Sequence, residues 1–284
     1  MKLTAVVRLQ PSADQYELLL HTLERANVAC NYISSAAWEA KQFGRVPVHH
    51  LTYHAVRERY ELAAQMAVRV IGKVVDAYKL DKKAKRTFKP HGAIPYDDRI
   101  LTWKLPTQQV SIWTLAGRET IPFVCGDYHR QLLNGQRGES DLVYRNGKWF
   151  LYTTCEVEAD MPIDVEGFLG VDMGVQNIAV DSDGTIYSAS HLLNVRHRYR
   201  RLRRKLQAKG TKSAKRLLRK RSRREMRFAR DVNHCISKAL VEKAKDTGRG
   251  IAVEELTHIR SRVTVQRRRR AQLHSWAFAD LRPK

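Results

Sequence analysis

Two carboxylates stand in settings suited to metal or phosphate chemistry. Asp172 lies in Phe168-Leu-Gly-Val-Asp-Met-Gly174. On a strand, Gly170, Asp172 and Gly174 share one face, because side chains alternate. Small residues at i−2 and i+2 leave open space over the carboxylate, where a cation or phosphate could approach. Glu254 lies in Gly250-Ile-Ala-Val-Glu-Glu-Leu256, which reads as a short buried strand suited to the centre of a parallel sheet. There it shares a face with Ala252 and Leu256, and a carboxylate so placed is costly unless paired or bound to metal. Glu255 faces the other way, as a structural residue. Taken singly, Asp172 also suits a turn or a hydrogen-bonding role, and Glu254 a pairing with one of many arginines.

The other chemistry is cationic. Residues 196–230 hold 18 Lys and Arg and a single acid, Glu225. The candidate nucleic-acid contacts are Arg196, Arg200, Arg201, Arg203, Arg204, Lys205, Lys212, Lys215, Arg216, Arg219, Lys220, Arg223, Arg224 and Arg227. One sign over such a length repels itself unless a polyanion neutralises it. Val195, Tyr199, Leu202 and Leu206 recur at helical spacing. Gly210-Thr211-Lys212-Ser213 breaks the pattern, and Leu217, Leu218 and Phe228 belong to a second segment. The pattern predicts a basic helical hairpin with a narrow apolar seam, too thin for a membrane surface.

Other elements must position these groups. Asn177-Ile-Ala-Val-Asp181, Asp183-Gly184 and Ile186-Tyr187 predict an antiparallel meander that begins at the Asp172 strand. Asp231 is placed to cap a helix with Val232, Ile236, Leu240 and Ala244 on one stripe, ended by Gly248. Upstream, residues 1–10 alternate as an edge or half-buried strand. A helix is expected over 11–43, closed by Gly44, and a second helical region over 50–80. From 94 to 157, short β-branched and aromatic runs alternate with turn signals at Gly117, Gly126, Gly138 and Asn146-Gly147. They predict a small β-barrel with residues 11–90 inserted as helices.

Composition sets the frame. The 284 residues carry 52 Lys and Arg against 29 Asp and Glu, a net charge of +23. Residues 171–284 hold 30 of those bases against 10 acids, so the excess lies in the back half. At 43% hydrophobic residues the chain can build a core. No apolar run is long enough to span a membrane. The first ten residues are charged too early for a secretory leader. Cys30, Cys125, Cys155 and Cys235 form no Cys-x-x-Cys pair and are expected as buried free thiols in a reducing cytosol.

A strand with Asp, a meander, a long helix and a parallel strand with Glu is the order of a ribonuclease-H-like fold. The detailed motifs go further. They are Asp14-Gln15, Asn31-Tyr32, Gln65-Met66-Ala67, Tyr96-Asp97-Asp98, Gly138-Glu139-Ser140-Asp141-Leu142, Leu169-Gly-Val-Asp-Met-Gly174, Asn233-His234-Cys-Ile-Ser-Lys238, Ile251-Ala-Val-Glu-Glu-Leu256 and Leu273-His-Ser-Trp-Ala-Phe278. In these the chain resembles TnpB, also called OrfB. That is a transposase family of insertion sequences, transposon-associated RNA-guided DNA endonucleases related to the ancestors of type V CRISPR effectors.

The resemblance implies an α+β multi-domain fold. Residues 1–10 and 91–165 would form a wedge-like β-barrel, with 11–90 a helical recognition lobe inserted in it. Residues 167–284 would form a RuvC-like nuclease domain with the basic hairpin 196–230 as an insertion. Asp172 and Glu254 match the first and second RuvC carboxylates, which bind Mg²⁺. The implied partners are guide RNA and DNA, in the cytoplasm at the nucleoid, with sequence read by guide pairing. Family members continue past Phe278 into a further strand, a four-cysteine zinc ribbon and a third carboxylate. Asp280, on the helix after Trp276, is no substitute. The resemblance therefore implies an incomplete RuvC-like domain, no zinc site in this chain, apolar surface left open near Val253 and Trp276, and impaired cleavage. The alternatives are a nuclease-dead RNA-guided or nonspecific DNA-binding protein, repressor-like, and a non-functional gene remnant.

Overall fold

The computed structural model describes residues 1–158, 164–221, 223–256 and 263–264. Residues 159–163, the Leu273–Phe278 motif, Trp276 and Asp280 lie outside them. The chain divides into two units, 1–160 and 161–284. It is a mixed α/β protein, with a nearly closed, barrel-like sheet in the first unit.

Strand β1 (Lys2–Leu9) buries Ala5, Val7 and Leu9 on one face. It is half-buried, as the alternation predicts, but it is not an edge: β5 and β7 flank it. Helix α1 (Ala13–Glu39) starts with a capping box, in which Ser12 Oγ accepts from Gln15 N and Gln15 Oε1 accepts from Ser12 N, each at 3.2 Å. Both bonds satisfy amides that the first turn leaves unpaired. The helix ends short of 43, and Gly44 is instead the N-cap of α2 (Arg45–Tyr60). The helical region expected over 50–80 is two helices, α2 and α3 (Ala64–Leu80). Glu61 separates them in the left-handed region, at φ 53°, and its carboxylate pairs with Arg25 at 2.8 Å.

The rest of the unit comprises β2 (Ile94–Tyr96), β3 (Leu101–Lys104), β4 (Gln109–Thr114), β5 (Gly117–Val124), α4 (Asp127–Asn134), β6 (Gln136–Arg145) and β7 (Lys148–Glu156). The sheet order is β2-β6-β7-β1-β5-β4-β3. Asn146 and Gly147 both take positive φ, 55° and 73°, as a two-residue hairpin turn requires. Two expected turns differ. Gly126 caps the short helix α4, and Gly138 sits within β6, where the register shifts between Arg137 and Ser140. A lone glycine in a strand marks such a bulge as readily as a turn.

Polar side chains, those of the Asn31, Gln65, Asp97 and Glu139 motifs among them, fasten this unit internally. Buried Asn27 donates to Pro90 O at 3.1 Å and Gly92 O at 2.8 Å, and accepts from Lys73 Nζ at 2.8 Å. Asn31 exchanges two bonds with the Phe88 backbone. Gln65 donates to Asp97, which pairs with Arg69 at 3.1 Å, and Arg69 reaches Glu139 at 3.1 Å. Residues from α3, the loop after β2 and the β6 bulge thus converge.

The second unit contains β8 (Phe168–Asp172), β9 (Asn177–Asp181), β10 (Ile186–Ser188), α5 (Ser190–Lys209), α6 (Lys212–Arg221), α7 (Arg224–Asp246) and β11 (Gly250–Val253). Its sheet order is β10-β9-β8-β11, antiparallel except for the parallel pair β8–β11. Leu169, Val171, Met173, Ile178, Ala179, Leu240 and Ala244 form its core. Helix α7 begins at Arg224, so Asp231 lies inside it and is no cap, because nothing between 224 and 231 breaks a helix. Gly248 ends it as expected, at φ 61°, and Arg249 N closes the end on Ala244 O at 2.9 Å. Strand β11 is parallel as expected but not buried. Among the described strands it is an edge, and Val253 is 38% exposed. Cys30 and Cys155 are buried, whereas Cys125 is half-buried and Cys235 exposed on α7, so the expectation of four buried thiols fails. Among the described residues, no helix is long and apolar enough to cross a membrane.

The capping box yields a test. Ser12→Ala should lower stability by about 1 kcal/mol, read as a lower urea midpoint with an unchanged slope. An unchanged midpoint would show that the box contributes nothing.

Candidate functional site

The β8–β11 ladder positions the two carboxylates. Ala252 pairs with Gly170 and Val253 with Val171. One further step in that register sets Glu254 opposite Asp172, with strands about 4.8 Å apart. The Met173 amide donates to Glu254 Oε1 at 3.2 Å. Val171 and Val253 point toward α7, where they meet Ser237 and Leu240. Period-two alternation therefore puts Asp172 and Glu254 together on the other face, and both are exposed. The desolvation cost expected for a buried Glu254 does not arise.

The two glycines flanking Asp172 do different jobs. A methyl group on Gly170 would meet only Ser182 Cβ, at 3.7 Å, an ordinary contact. Gly170 keeps the surface beside Asp172 low. Gly174 lies beyond the end of β8, and a methyl group there would sit 2.8 Å from Asn177 O. It allows the close turn into β9 and is not a spacer over the carboxylate.

A charged clamp was not legible in the sequence. Asp181, buried at the end of β9, accepts from Lys243 Nζ at 2.7 Å and from the Thr185 amide at 2.9 Å. Asp183 lies 3.0 Å from Lys243 and 2.6 Å from Arg249. The four charges tie the β9–β10 turn to the end of α7 and the start of β11, the strand that leads to Glu254. Burial pushes the Asp181 carboxyl up, but Lys243 and the Thr185 bonds outweigh it and hold it below the usual range. Arg249 and then Lys243 hold Asp183 well below that range. The only sequence signal here was Asp183-Gly184, which announced a turn and not an ion pair.

The basic residues form a face built on α5, α6 and the start of α7. Arg200, Arg201, Arg203, Arg204 and Lys205 are exposed on α5, as are Lys212, Lys215, Arg216, Arg219 and Lys220 on α6. Arg223, Arg224 and Arg227 are exposed at the α7 start. Arg196 differs: it is half-buried, 3.8 Å from Glu225. Glu225 also pairs with Arg203 at 3.3 Å, so the one acid of the stretch joins α7 to α5. Among the described residues, no group of three or more His, Cys, Asp or Glu side chains is set to hold a metal ion. Asp172 and Glu254 offer oxygen donors, which suit hard cations such as Mg²⁺.

The clamp sets an acid limit. Both Asp pKa values are depressed on folding, so their contribution is full above the ordinary carboxylate pKa of about 4 and is lost as pH falls below it. The melting temperature should fall with acidification in this window, and Asp183→Asn should flatten that fall while lowering stability at neutral pH. An identical pH profile in the variant would show that the clamp is not linked to folding.

Residues 152–260 match the family model OrfB_IS605, described as a probable transposase. No curated protein matches the chain. Among solved structures, it is similar to a Cas12f1 protein, determined by cryo-electron microscopy in a complex with single-guide RNA and target DNA. The TM-score is 0.60 at 13% identity, over 95% of this chain and 70% of that one. At that identity the likeness is one of fold. The family match thus covers the segment that carries Asp172, the basic helices and Glu254, and the likeness of fold extends along the chain.

Proposed function

We propose that this protein binds a guide RNA and DNA, and that its second unit is an RNase H-like, RuvC-like domain whose Asp172 and Glu254 serve Mg²⁺-dependent phosphodiester cleavage. The observation that carries the reading is the juxtaposition of the two carboxylates on the open face of β8 and β11, with Met173 N bonded to Glu254. The order of β8, β9, β10, α7 and β11 supports it, as does the family match over this stretch. In the same reading, residues 1–10 and 91–165 are the wedge-like barrel and 11–90 the recognition lobe. The Cas12f1 neighbour was determined with RNA and DNA, and the basic face suits the same partners here.

The donor set fits Mg²⁺. Asp172 and Glu254 would hold it, and a bound ion would activate water and stabilise the leaving oxygen of a phosphodiester. The basic helices bind phosphate and ribose, which carry no sequence information, and orient the strand. The two carboxylates that the described residues bring together hold a hydrated ion less firmly than a site with a further bridging ligand. Binding without cleavage is therefore the second reading.

Two measurements test the proposal. RNA that stays with the gently purified protein should be a defined short species encoded beside its own gene, and a random cellular mixture would contradict guided function. With that RNA, Mg²⁺ and target DNA, cutting should occur and be lost in Asp172→Ala while RNA affinity holds. Absence of cutting with intact binding selects the second reading.

Binding should also weaken steeply with salt. Replacing Arg200, Arg204 and Lys205 by Gln should reduce the log–log slope for single-stranded RNA by about 2. An unchanged slope would remove these residues from the contact surface.

A further inference from the structure

The basic helices hold more than charge. Tyr199, Leu202 and Leu206 follow one another at i, i+3 and i+7, which makes a stripe on one face of α5. In a closed helical hairpin such a stripe would be sealed against its partner. Here all three stay half-buried, and of the whole of α6 only Ala214 is buried. Between α5, α6 and the start of α7 lies a cleft of about 290 Å³, lined by these residues, by Leu218 of α6, by Arg203, Arg221 and Arg223, and by one acid, Glu225. The Arg221 guanidinium lies 5.9 Å from the centroid of the Tyr199 ring. Gly210, at φ 63°, makes the turn between α5 and α6, and Arg203 pairs with Glu225 of α7 at 3.3 Å.

This is an uncommon combination. A surface meant only to follow phosphates needs cations in water, not an aromatic ring and three leucines lining one cleft. A surface meant only for an apolar peptide would not be ringed by guanidinium groups inside the most basic stretch of the chain. A flat, unsaturated ring system joined to a phosphate satisfies both parts: the ring stacks on Tyr199 and covers the leucines, and the arginines take the phosphate or the ring edge. Bases of a duplex are stacked and cannot enter, so the strand must be single or locally opened.

We propose that the α5–α6 cleft is a pocket for one unstacked nucleobase of a single strand. Tyr199 is its stacking platform, and Arg203 and Arg221 are its phosphate-side contacts. The proposal rests on the nucleic-acid-binding reading above and adds a base-dependent component to it. The pocket is sequence-tolerant, because every base has a stacking face.

The test compares oligouridylate with an oligonucleotide of the same length and phosphate count whose sugars are abasic, using the full chain. The uridylate should bind about five-fold more tightly or better, the gain expected of one stacked base. Tyr199→Ala should bring the two affinities together, and Tyr199→Phe should keep them apart, since the ring and not the hydroxyl does the stacking. Oligodeoxyuridylate, run beside it, shows whether the sugar matters: equal preference assigns the pocket to either strand type, and a ribose-only preference to RNA. Equal affinity for uridylate and abasic strands, with salt dependence intact, overturns the pocket and leaves the electrostatic reading standing. Failure of every strand to bind overturns both. Photo-crosslinking of a 4-thiouridine strand to the unaltered protein needs no folded variant. Crosslinks on the peptides carrying Tyr199 or Leu218 support the pocket, and crosslinks confined to other helices overturn it.

Discussion

The parallel ladder between β8 and β11 sets Gly250 opposite Phe168 and runs in register to Val253 opposite Val171. Side chains alternate along both strands, so this pairing decides every later feature of the site. It sends Val171 into the apolar interior and turns Val253, part-exposed at the sheet edge, toward α7. It leaves Asp172 and Glu254 side by side on the outer face. A slip of one residue in either strand would turn one carboxylate toward the apolar face and the other away from it. Register is held at three places: by the Met173–Glu254 bond at one end, by the core beneath, and by the Asp181, Asp183, Lys243 and Arg249 clamp where α7 turns into β11.

Charge is distributed in keeping with that geometry. Three acids of the second unit are committed to structure: Asp181 and Asp183 to the clamp, and Glu225 to the tie between α5 and α7. Apart from Arg196 and Arg203, which share Glu225, most cations of α5 and α6 stand in solvent, where they repel one another. A bound polyanion relieves the repulsion. Within the first unit, the acids and bases near α3 and the β6 bulge pair internally, in line with the near-neutral balance of that half.

What could be read in the sequence was what local chemistry determines. Ser12 and Gln15 announce a helix start, Asn146-Gly147 a hairpin and Gly248 a helix end, because each supplies a backbone conformation or bond needed at that position. The alternation in β1 was equally plain, yet its central place was not, since that depends on strands more than a hundred residues away. Glu61 and Arg223 take positive φ without the usual glycine or asparagine, so the α2–α3 break and the start of α7 carried no signal. At the site, the types of Asp172 and Glu254 were legible, but the exposure of β11 was not. An apolar run looks the same in a central strand and in a half-open one. The clamp was hidden for a related reason: Lys243 lies 62 residues from Asp181, and nothing local links them.

The central claim is that Asp172 and Glu254 together hold a divalent cation. Titration of the purified protein with Mn²⁺ as a probe for Mg²⁺, followed by electron paramagnetic resonance of the free ion, tests it most directly. The account predicts a bound ion that is lost both in Asp172→Asn and in Glu254→Gln, with each variant folded by circular dichroism. Undiminished Mn²⁺ binding in either variant would contradict it.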